Sequence, residues 1–486
     1  MAALVESLPW AALLILLPLG GGLICFLLPG MARLLGLLTV FAAALSVVGL
    51  GWQLHTVGVY RHLPGGWGAP LGIEWHADGL SLLMLAATAL VGIAVSVYAT
   101  AYFERQQAVR FWPLWLLLLA ALNALFLSAD IFNLYVTLEM MGLASVALAA
   151  LAGGGDALGS AMRYLLATLL GSLLYLLGVA LLYHGFGSVD IATLAARLTP
   201  SPAVWAALGL ITAGLALKTA LFPLHFWLPP AHAAAPAPVS ALLSALVVKA
   251  SFYILLRLWL ELFGDHAAGV DALLAVLGAL AVLWGSVQAL RQSRLKLLVA
   301  YSTVAQIGYL FLAFPLGMAA GVVAWNGMAF LVLSHALAKA AMFLSAGNLL
   351  RFGGHDRIAD LDRVAQRLPL TTAAFAVAGV SIMGLPPSGG FIGKWLLLQA
   401  ALAQGRWDLA AIMLLGGLLA AAYVFKVLGH AFTQAPVAHA PRAVPAGMEW
   451  TALLLALAAL LLGFFAAPVL SLIGIGDAFG SPAVGS

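Results

Sequence analysis

Hydrophobic residues along this chain fall in runs of about twenty, separated by short polar turns. A run of this length crosses roughly 30 Å of hydrocarbon as an α-helix, so each run predicts a membrane-spanning helix. Fourteen such runs predict an all-α polytopic membrane protein. The predicted spans cover residues 8–28, 31–53, 78–101, 112–128, 130–150, 160–183, 203–224, 238–260, 268–290, 297–315, 322–348, 370–401, 408–432 and 450–474.

The composition agrees with this class, because 64% of the residues are hydrophobic and only 8% are charged. Soluble domains carry roughly 25% charged residues. We therefore expect residues 1–486 to form a single membrane domain. The first span is long and lacks a basic stretch before it, which predicts a retained helix rather than a signal peptide. Cys25 is the single cysteine, and no Cys or His cluster has metal-ligand spacing, so no metal or cofactor is expected.

The basic residues of the loops predict the orientation, because short cytoplasmic loops retain positive charge. With the N-terminus outside, twelve basic residues fall on the cytoplasmic side and four on the other, which places both termini in the periplasm. The cytoplasmic set is Arg33, Arg105, Arg110, Arg163, Arg291, Arg294, Lys296, Arg351, Arg357, Arg363, Arg367 and Arg442. The periplasmic set is Arg61, Arg197, Arg257 and Arg406. This spread over loops is no nucleic-acid-binding patch.

Lysine and arginine are distributed differently. All fifteen arginines fall in predicted loops or near helix ends, and of the six lysines only Lys296 is predicted in a loop. A fixed charge inside a span would cost at least about 2.5–3.5 kcal/mol, but a buried lysine can lose its proton near neutral pH, whereas arginine cannot. The chain thus admits titratable charge to the membrane and excludes permanent charge. The lysines in predicted spans are Lys218, Lys249, Lys339, Lys394 and Lys426.

Glu139 is the one carboxylate placed comparably deep in a predicted span. Asp130 marks the start of its helix, and Glu139 follows nine residues on, roughly 14 Å deeper. His335 and Lys339 are four residues apart and so share a helix face, where a proton could pass between them directly or through one water. These side chains are candidates for a buried proton path.

Each candidate also has a structural interpretation. The lysines could extend to the lipid headgroups, which applies most to Lys426, four residues before His430. Glu139 could be a protonated carboxyl that holds helices together. His335 could be a packed core histidine, and His225 and His232 could bond carbonyls exposed at a helix break.

Prolines predict two broken helices. Pro223 lies at the end of the span 203–224, and Pro386 and Pro387 interrupt the span 370–401 just before Lys394. Proline removes a backbone hydrogen bond that lipid cannot replace, so such breaks persist where protein or a water-filled cavity satisfies the backbone. Paired breaks at corresponding positions are typical of inverted-repeat transporters.

Several stretches resemble one known family. They are FNLYVTLEMMGL, ALKTALFPLHFWLPPAHAAAPAPVSALLSALVVK, LKLLVAYSTVAQIGYL, SHALAKAAMFLSAGNL and GLPPSGGFIGKWLLL. Their order along nearly the whole chain is similar to that in the antiporter-like subunits of respiratory complex I, the Mrp-type cation/proton antiporters and the membrane-bound hydrogenases. The chain ends soon after the last span, so it looks most like the D-type member of the Mrp antiporters or the medium-sized antiporter-like subunit of complex I.

The resemblance implies fourteen helices with two inverted five-helix repeats and breaks in helices 7 and 12. Helices 1–3 would occupy residues 1–101. The first repeat (helices 4–8) would occupy residues 112–260, the second repeat (helices 9–13) residues 268–432, and helix 14 residues 450–474. The resemblance implies an ion path through Glu139, Lys218 and Lys249 in the first half and His335, Lys339 and Lys394 in the second. Arg163 matches a position, at the start of helix 6, that is often basic near the glutamate. Pro230 and Ala234 stand where many relatives have acidic residues, which argues against a surface proton relay there.

We therefore expect a proton-translocating subunit of a larger complex in a bacterial cytoplasmic membrane, with other membrane subunits as partners. Sodium/proton exchange is open. In the implied relay, Lys218 takes up a proton when its pairing with Glu139 weakens and passes it through Lys249 and His335/Lys339 toward Lys394. The alternatives are a redox-driven subunit of a quinone oxidoreductase or hydrogenase, a partner in inorganic-carbon uptake, and a structural subunit without transport. No catalytic site of its own is visible.

Overall fold

The computed structural model describes residues 8–69, 72–267, 269–435, 441–476 and 479. Within them, thirteen helices are long and apolar enough to cross a membrane, and two shorter apolar helices together occupy the predicted span 370–401. The polytopic helical fold is thus confirmed. The first helices are α1 (Trp10–Leu27), α2 (Ala32–Val57), α3 (Gly79–Tyr102), α4 (Arg105–Phe126), α5 (Ile131–Ala149), α6 (Gly154–Phe186), α7a (Pro202–Thr219) and α7b (Leu228–Ala234). The others are α8 (Ala237–Phe263), α9 (Val270–Arg291), α10 (Leu295–Ala320), α11 (Val322–Gly353), α12a (Pro369–Met383), α12b (Gly389–Ala403), α13 (Trp407–Phe432) and α14 (Ala446–Ile473).

A short antiparallel hairpin departs from the purely helical prediction. Strands β1 (Tyr60–His62) and β2 (Trp75–Ala77) pair in the loop between α2 and α3. Three-residue strands are too short to show the alternating pattern by which strands are recognised in sequence.

Four of the helices labelled above begin at a side chain that accepts a hydrogen bond from the first turn. These N-caps are Asp78 for α3, Asp130 for α5, Ser201 for α7a and Ser388 for α12b. Such caps satisfy backbone N–H groups that have no partner within the helix, so they define where each span starts.

The predicted helix breaks are both present. α7a ends at Thr219, and Ala220 takes a left-handed conformation with φ 59°. α12a ends at Met383, and Gly384 has φ 82°. The peptide bonds before Pro223 and Pro387 are cis. After the first break the chain continues through a 3₁₀ turn, Leu224–Trp227, into α7b, so this span extends ten residues beyond its predicted end at 224.

The helices that carry Lys249 and Lys339 lie at the centre. The most apolar stretches of α8 and α11 are buried throughout, whereas less than half of those of α1, α2 and α14 is buried. Exposed apolar side chains on these outer helices suit contact with lipid. The layout thus places Lys249 and Lys339, which lie on α8 and α11, well away from lipid.

Glycines allow α6 and α7a to approach each other closely. A Cβ atom on Gly214 would lie 2.3 Å from the carbonyl oxygen of Gly171. Small residues at such crossings are a common means of helix packing in membranes. The crossing brings Lys218, one turn after Gly214, against α6.

Candidate functional site

Lys218 and Glu139 form an ion pair in the interior of the protein. The Lys218 Nζ lies 3.4 Å from Glu139 Oε1, and the two side chains are 3% and 19% exposed. Lys218 is the next-to-last residue of α7a, and Glu139 is in the middle of α5. Because attraction between charges falls with distance and is strong away from water, movement at the α7 break would change how favourably Lys218 holds its charge.

Two glycines make room for the Lys218 side chain. A Cβ atom on Gly171 of α6 would lie 2.9 Å from Lys218 Cγ, and one on Gly142 of α5 would lie 3.7 Å from its Nζ and 2.9 Å from Thr168 Oγ1. Contacts near 3 Å or below are tighter than side chains normally tolerate. The lysine is therefore guided between α5 and α6 by residues that lack side chains.

Protein groups satisfy the backbone at the α7 break. The indole N–H of Trp227 donates to the carbonyl of Leu217 at 2.9 Å. Tyr164 stacks on the Trp227 ring, with centroids 4.4 Å apart and planes within 4°. The break next to Lys218 thus has the internal bonding that a break inside a membrane requires.

Lys249 lies at the start of a regular stretch of α8 that follows a π-helical turn, Leu243–Val247. It is 1% exposed, and its ammonium group contacts the carbonyl of Ser244. π-turns inside α-helices are frequent at functional sites. The Ser244 hydroxyl lies 2.9 Å from the hydroxyl of Thr303 on α10, which links Lys249 to that helix.

α10 joins Lys249 to Lys339. Thr303 Oγ1 donates to the carbonyl of Val299 at 3.1 Å, and the same carbonyl accepts from Lys339 Nζ at 3.0 Å. Lys339 also contacts the hydroxyl of Ser302. The two lysines, which lie on different helices, thus bond to residues that contact each other: Lys249 to the carbonyl of Ser244, and Lys339 to the carbonyl that Thr303 also bonds.

Sequence reasoning did not single out these hydroxyl residues. Ser302 and Thr303 are adjacent in a stretch already used for the family resemblance, and Ser244 is in another. Hydroxyls commonly bond their own helix, so a serine or threonine in a span gives no signal of its role by itself. Two adjacent hydroxyl residues, Ser302 and Thr303, in an otherwise apolar span are the sequence feature that could have indicated a polar contact at this point of α10.

His335 lies beside the lysines of both halves. It is 2% exposed, and neither ring nitrogen has a hydrogen-bond partner among the described residues. Its charged neighbours are Lys249, Lys339 and Lys394. A buried imidazole without a fixed partner can accept and donate a proton, which makes His335 a candidate for exchange with the neighbouring amines.

Lys394 is bonded across the second helix break. Its Nζ donates to the carbonyl of Ile382 at 2.7 Å and lies 4.3 Å from the centre of the Tyr309 ring. A Cβ atom on Gly384 would lie 2.8 Å from Lys394 Cδ. Gly384 also has a positive φ, so glycine is favoured here both for the turn and for the passage of the lysine.

The histidines near the first break differ in surroundings. His225 lies at the break, stacks on Phe222 and is 9% exposed. His232 on α7b is fully buried against Phe343, and neither of its ring nitrogens has a hydrogen-bond partner among the described residues. The charged neighbours of His232 are Lys296, Lys339 and Lys249. Carbonyl capping by His232, an alternative left open by the sequence, is therefore not seen.

Two lysines bond carbonyls at helix ends. Lys426 Nζ donates to the carbonyls of Leu290 and Gln292 at 2.7 Å each, at the end of α9. Lys296 was predicted in a loop, and this is wrong: it is the second residue of α10, is 2% exposed and bonds the carbonyls of Ala233 and Ala235 at the end of α7b. The run Arg-Leu-Lys misled the prediction because basic residues usually mark loops.

Arg163 and His430 lie toward the edges of the protein. α6 begins at Gly154 rather than near 160, so Arg163 is in the helix rather than at its start, and it is exposed. It lines a cleft of about 640 Å³ together with Pro230 and Ala234, the two positions at which this chain lacks acidic residues. His430 lies in the last turn of α13, one turn after Lys426.

Arg257 was expected near a helix end but forms a buried cluster. Its guanidinium bonds Asp78 at 2.5 and 2.8 Å, Tyr253 at 2.9 Å, Ser81 at 3.0 Å and Glu261 at 3.1 Å. Burial favours a raised pKa for the Asp78 carboxyl, but the Arg257 guanidinium overrides it and holds that pKa well below its usual range. The cluster ties α3 to α8, two turns beyond Lys249.

Within the described ranges, no group of three His, Cys, Asp or Glu side chains is arranged to hold a metal ion. Cys25 is buried. The groups on the candidate path that can take up and release protons are Glu139, His335 and the amines of the four lysines, Lys218, Lys249, Lys339 and Lys394.

The fold and this central line of titratable side chains define a polytopic membrane protein of the antiporter-like class. A family described as NADH:quinone oxidoreductase/Mrp antiporter, transmembrane, matches residues 128–420. The chain is 40% identical over 426 residues to NADH-quinone oxidoreductase subunit N of Desulforudis audaxviator, with 84% of each chain covered. It is 30% identical over 432 residues to the D component of the Na(+)/H(+) antiporter of Bacillus subtilis, with 86% of each covered. A chain in the structure of the Mrp complex from Dietzia sp. DQ12-45-1b superposes with a TM-score of 0.89 at 26% identity, with 96% of each covered. The chain belongs to this family.

Proposed function

We propose that this chain moves protons across the membrane along Glu139, Lys218, Lys249, His335/Lys339 and Lys394. The observation that carries the proposal is the bonding around α10. Lys339 and the Thr303 hydroxyl share the carbonyl of Val299, and Thr303 pairs with the hydroxyl of Ser244, whose own carbonyl binds Lys249, so polar groups of both halves meet there. A set of unconnected buried lysines would not favour transport over a structural role.

The proposed cycle begins at the ion pair. Because the Glu139 carboxylate favours the ammonium form of Lys218, weakening of their contact favours release of the Lys218 proton to Lys249. Proton uptake then belongs to the closed pair, rather than to the weakened pair as the family resemblance was taken to imply. From there the polar groups around Ser244 and Thr303 lead to Lys339, and His335, one turn before Lys339 and with Lys394 among its charged neighbours, leads on toward the Lys394 amine. Lys394 releases the proton at the second break. The path thus uses one titratable group at or near each helix break.

We propose that the repeats implied by the sequence are residues 112–260 and 268–432. Each contains one broken helix with a lysine that lies against the break, Lys218 in one and Lys394 in the other. The inverted relation would present these two breaks to opposite sides of the membrane.

We propose that the protein lies in a bacterial cytoplasmic membrane with both termini in the periplasm and with other membrane subunits as partners. The excess of basic residues on one side supports the orientation, and the two curated relatives, both named as subunits, support the partners. Purification of the native complex, followed by identification of its subunits, tests the partners. Quinone-reductase, hydrogenase or small antiporter subunits would each assign a different source of energy, and recovery of this chain alone would contradict the proposal.

Glu139→Ala should abolish proton flux in vesicles that contain the purified complex, because Lys218 then has no carboxylate to pair with. The expected flux is that of vesicles without the complex, because the charge of Lys218 can then no longer be changed by opening and closing an ion pair. Size-exclusion chromatography checks that the complex assembles. Full flux in an assembled Glu139→Ala complex would rule out the proposed path.

Thr303→Val should lower proton flux about two- to tenfold, since it removes a hydroxyl worth about 0.5–1.5 kcal/mol while it keeps the side-chain volume. Thr88→Val on α3 is the matched control, because Thr88 is equally buried and its hydroxyl bonds only the carbonyl of Met84 in its own helix. Equal flux in the two variants would contradict a role for the α10 connection.

A further inference from the structure

The half-helix α12a lacks an N-terminal cap of its own. Its N-cap position is Leu368, whose side chain accepts no hydrogen bond. The corresponding half-helix α7a is capped by its own Ser201, which accepts from the N–H of Val204 at 3.3 Å. Because the first N–H groups of a helix have no partners within it, α12a needs an acceptor from elsewhere.

Glu449 supplies this acceptor from α14. Its Oε2 accepts from the N–H of Thr371 at 3.2 Å and from the Thr371 hydroxyl at 2.9 Å. Thr371 is fully buried in the first turn of α12a. A carboxylate at this position both bonds the free N–H and opposes the positive end of the helix dipole.

A buried hydrogen-bond network holds this contact in place. The amide of Asn348 on α11 donates to the Thr371 hydroxyl at 3.1 Å, and Tyr98 of α3 donates to the Asn348 carbonyl oxygen at 3.0 Å. Each donor in the line points toward the Glu449 carboxylate. Four helices therefore meet at the start of α12a.

The opposite end of α12a bonds Lys394. The carbonyl of Ile382, in its last turn, accepts from Lys394 Nζ at 2.7 Å. With fifteen residues, α12a places about 22 Å between its two ends. A negative side chain thus sits at the positive end of the half-helix and a positive one at its negative end. Among the described residues Lys394 has no carboxylate partner, unlike Lys218.

α14 also contacts the break that follows α12a. A Cβ atom on Gly463 would lie 1.8 Å from the carbonyl oxygen of Pro387, and one on Gly389 would lie 2.8 Å from Leu462 Cδ2. α14 therefore holds α12a at its start through Glu449 and the break through a glycine in close backbone contact.

We propose that Glu449 is a positioning residue for Lys394: by fixing the start of α12a it keeps the Ile382 carbonyl where the Lys394 ammonium bonds it. With Glu449 bound at its start, α12a presents the negative end of its dipole to Lys394 and so favours the Lys394 ammonium form, as the Glu139 carboxylate favours that of Lys218. This inference rests on the proposed function, in which Lys394 releases the proton.

The charged and titratable groups that face Lys394 are Tyr309 from α10 and His335 and Lys339 from α11. Tyr423 of α13 lies next to Tyr309. Replacement of Glu449 alters none of these side chains. An effect of the replacement on the pH dependence of transport would therefore come from a change at α12a.

The test is proton flux against pH in vesicles that contain the whole complex. Glu449→Ala should lower the flux several-fold and move the alkaline limb of the profile about half a pH unit toward lower pH, because Lys394 loses part of what favours its ammonium form. Glu449→Gln keeps an oxygen that can accept from Thr371, so it should restore most of the flux but retain part of the shift. Glu104→Ala, an exposed carboxylate at the start of α4 with no capping bond, is the control and should match the wild type.

An unchanged flux and pH profile in Glu449→Ala would overturn the inference. An equal loss in the Ala and Gln variants without a shift of the profile would also overturn it, since that pattern means only a general structural role. Lys394→Ala distinguishes a failure of the proposed proton path from a failure of the proposed role of Glu449. If Lys394→Ala transports like the wild type, the proposed function fails; if it is inactive while Glu449→Ala is normal, only the role of Glu449 fails.

Discussion

Lys218→Arg is expected to leave the complex assembled and to lower proton flux about a hundredfold. Arginine keeps the positive charge beside Glu139, but it stays protonated at any physiological pH and cannot pass a proton on. The side chain is also confined by Gly142 and Gly171, whose missing Cβ atoms provide the space that the lysine uses. Proton flux into vesicles, measured with a pH-sensitive dye, gives the result.

Lys426→Arg is the matched control for this substitution. Lys426 bonds the carbonyls of Leu290 and Gln292 at the end of α9, and a guanidinium can bond the same carbonyls without any need to release a proton. We expect near-normal flux in this variant. Substantial flux in Lys218→Arg would show that Lys218 serves as a fixed charge rather than as a proton carrier.

Arg257→Ala is expected to reduce the free energy of unfolding by about 3–5 kcal/mol, because it leaves the Asp78 carboxylate buried without its partner. The side chains of Arg257 and Asp78 are only 7% and 3% exposed. The effect should shrink in acid, since a carboxyl with a lowered pKa in the folded state contributes stability above its unfolded pKa of about 4 and loses it as the pH falls. Thermal or denaturant unfolding of the purified protein in detergent, carried out at several pH values, measures the loss of unfolding free energy and its dependence on pH.

Arg406→Ala provides the comparison for Arg257→Ala. Arg406 also bonds a single aspartate through two nitrogen atoms, Asp408 at 3.0 and 2.8 Å, but this pair is largely exposed. Exposed pairs contribute about 0–1 kcal/mol. Similar losses of unfolding free energy in Arg257→Ala and Arg406→Ala would contradict the view that burial makes the Arg257 cluster important for stability.

The sequence was sufficient to predict the spans and the lysines because both are strong signals. A lysine inside an apolar run, such as Lys249 or Lys339, has few explanations in a membrane. Prolines beside Lys218 and Lys394 predicted the breaks for an equally simple reason, since lipid cannot satisfy free backbone groups.

Features that depend on pairing between distant parts of the chain were not visible in the sequence. Arg257 meets Asp78 across 179 positions, and Thr371 meets Glu449 across 78. Arg257, Asp78 and Glu449 lie near ends of predicted helices, where charged residues are common, so nothing in the sequence indicated that they are bonded to distant residues. Lys296 was misplaced for the same reason, although it is buried at the start of α10.

The most direct test is to observe the protonation of Lys218. With this chain labelled with ¹⁵N-lysine in an otherwise unlabelled complex, solid-state NMR needs to resolve only six side chains, and Lys218→Arg assigns the signal. If Lys218 carries protons, its signal should convert between ammonium and neutral amine as the pH passes through the neutral range, and Glu139→Gln should change the proportion of the two forms at a given pH. A Lys218 signal that remains fully ammonium from about pH 5 to pH 9, in both the wild type and Glu139→Gln, would contradict the proton relay.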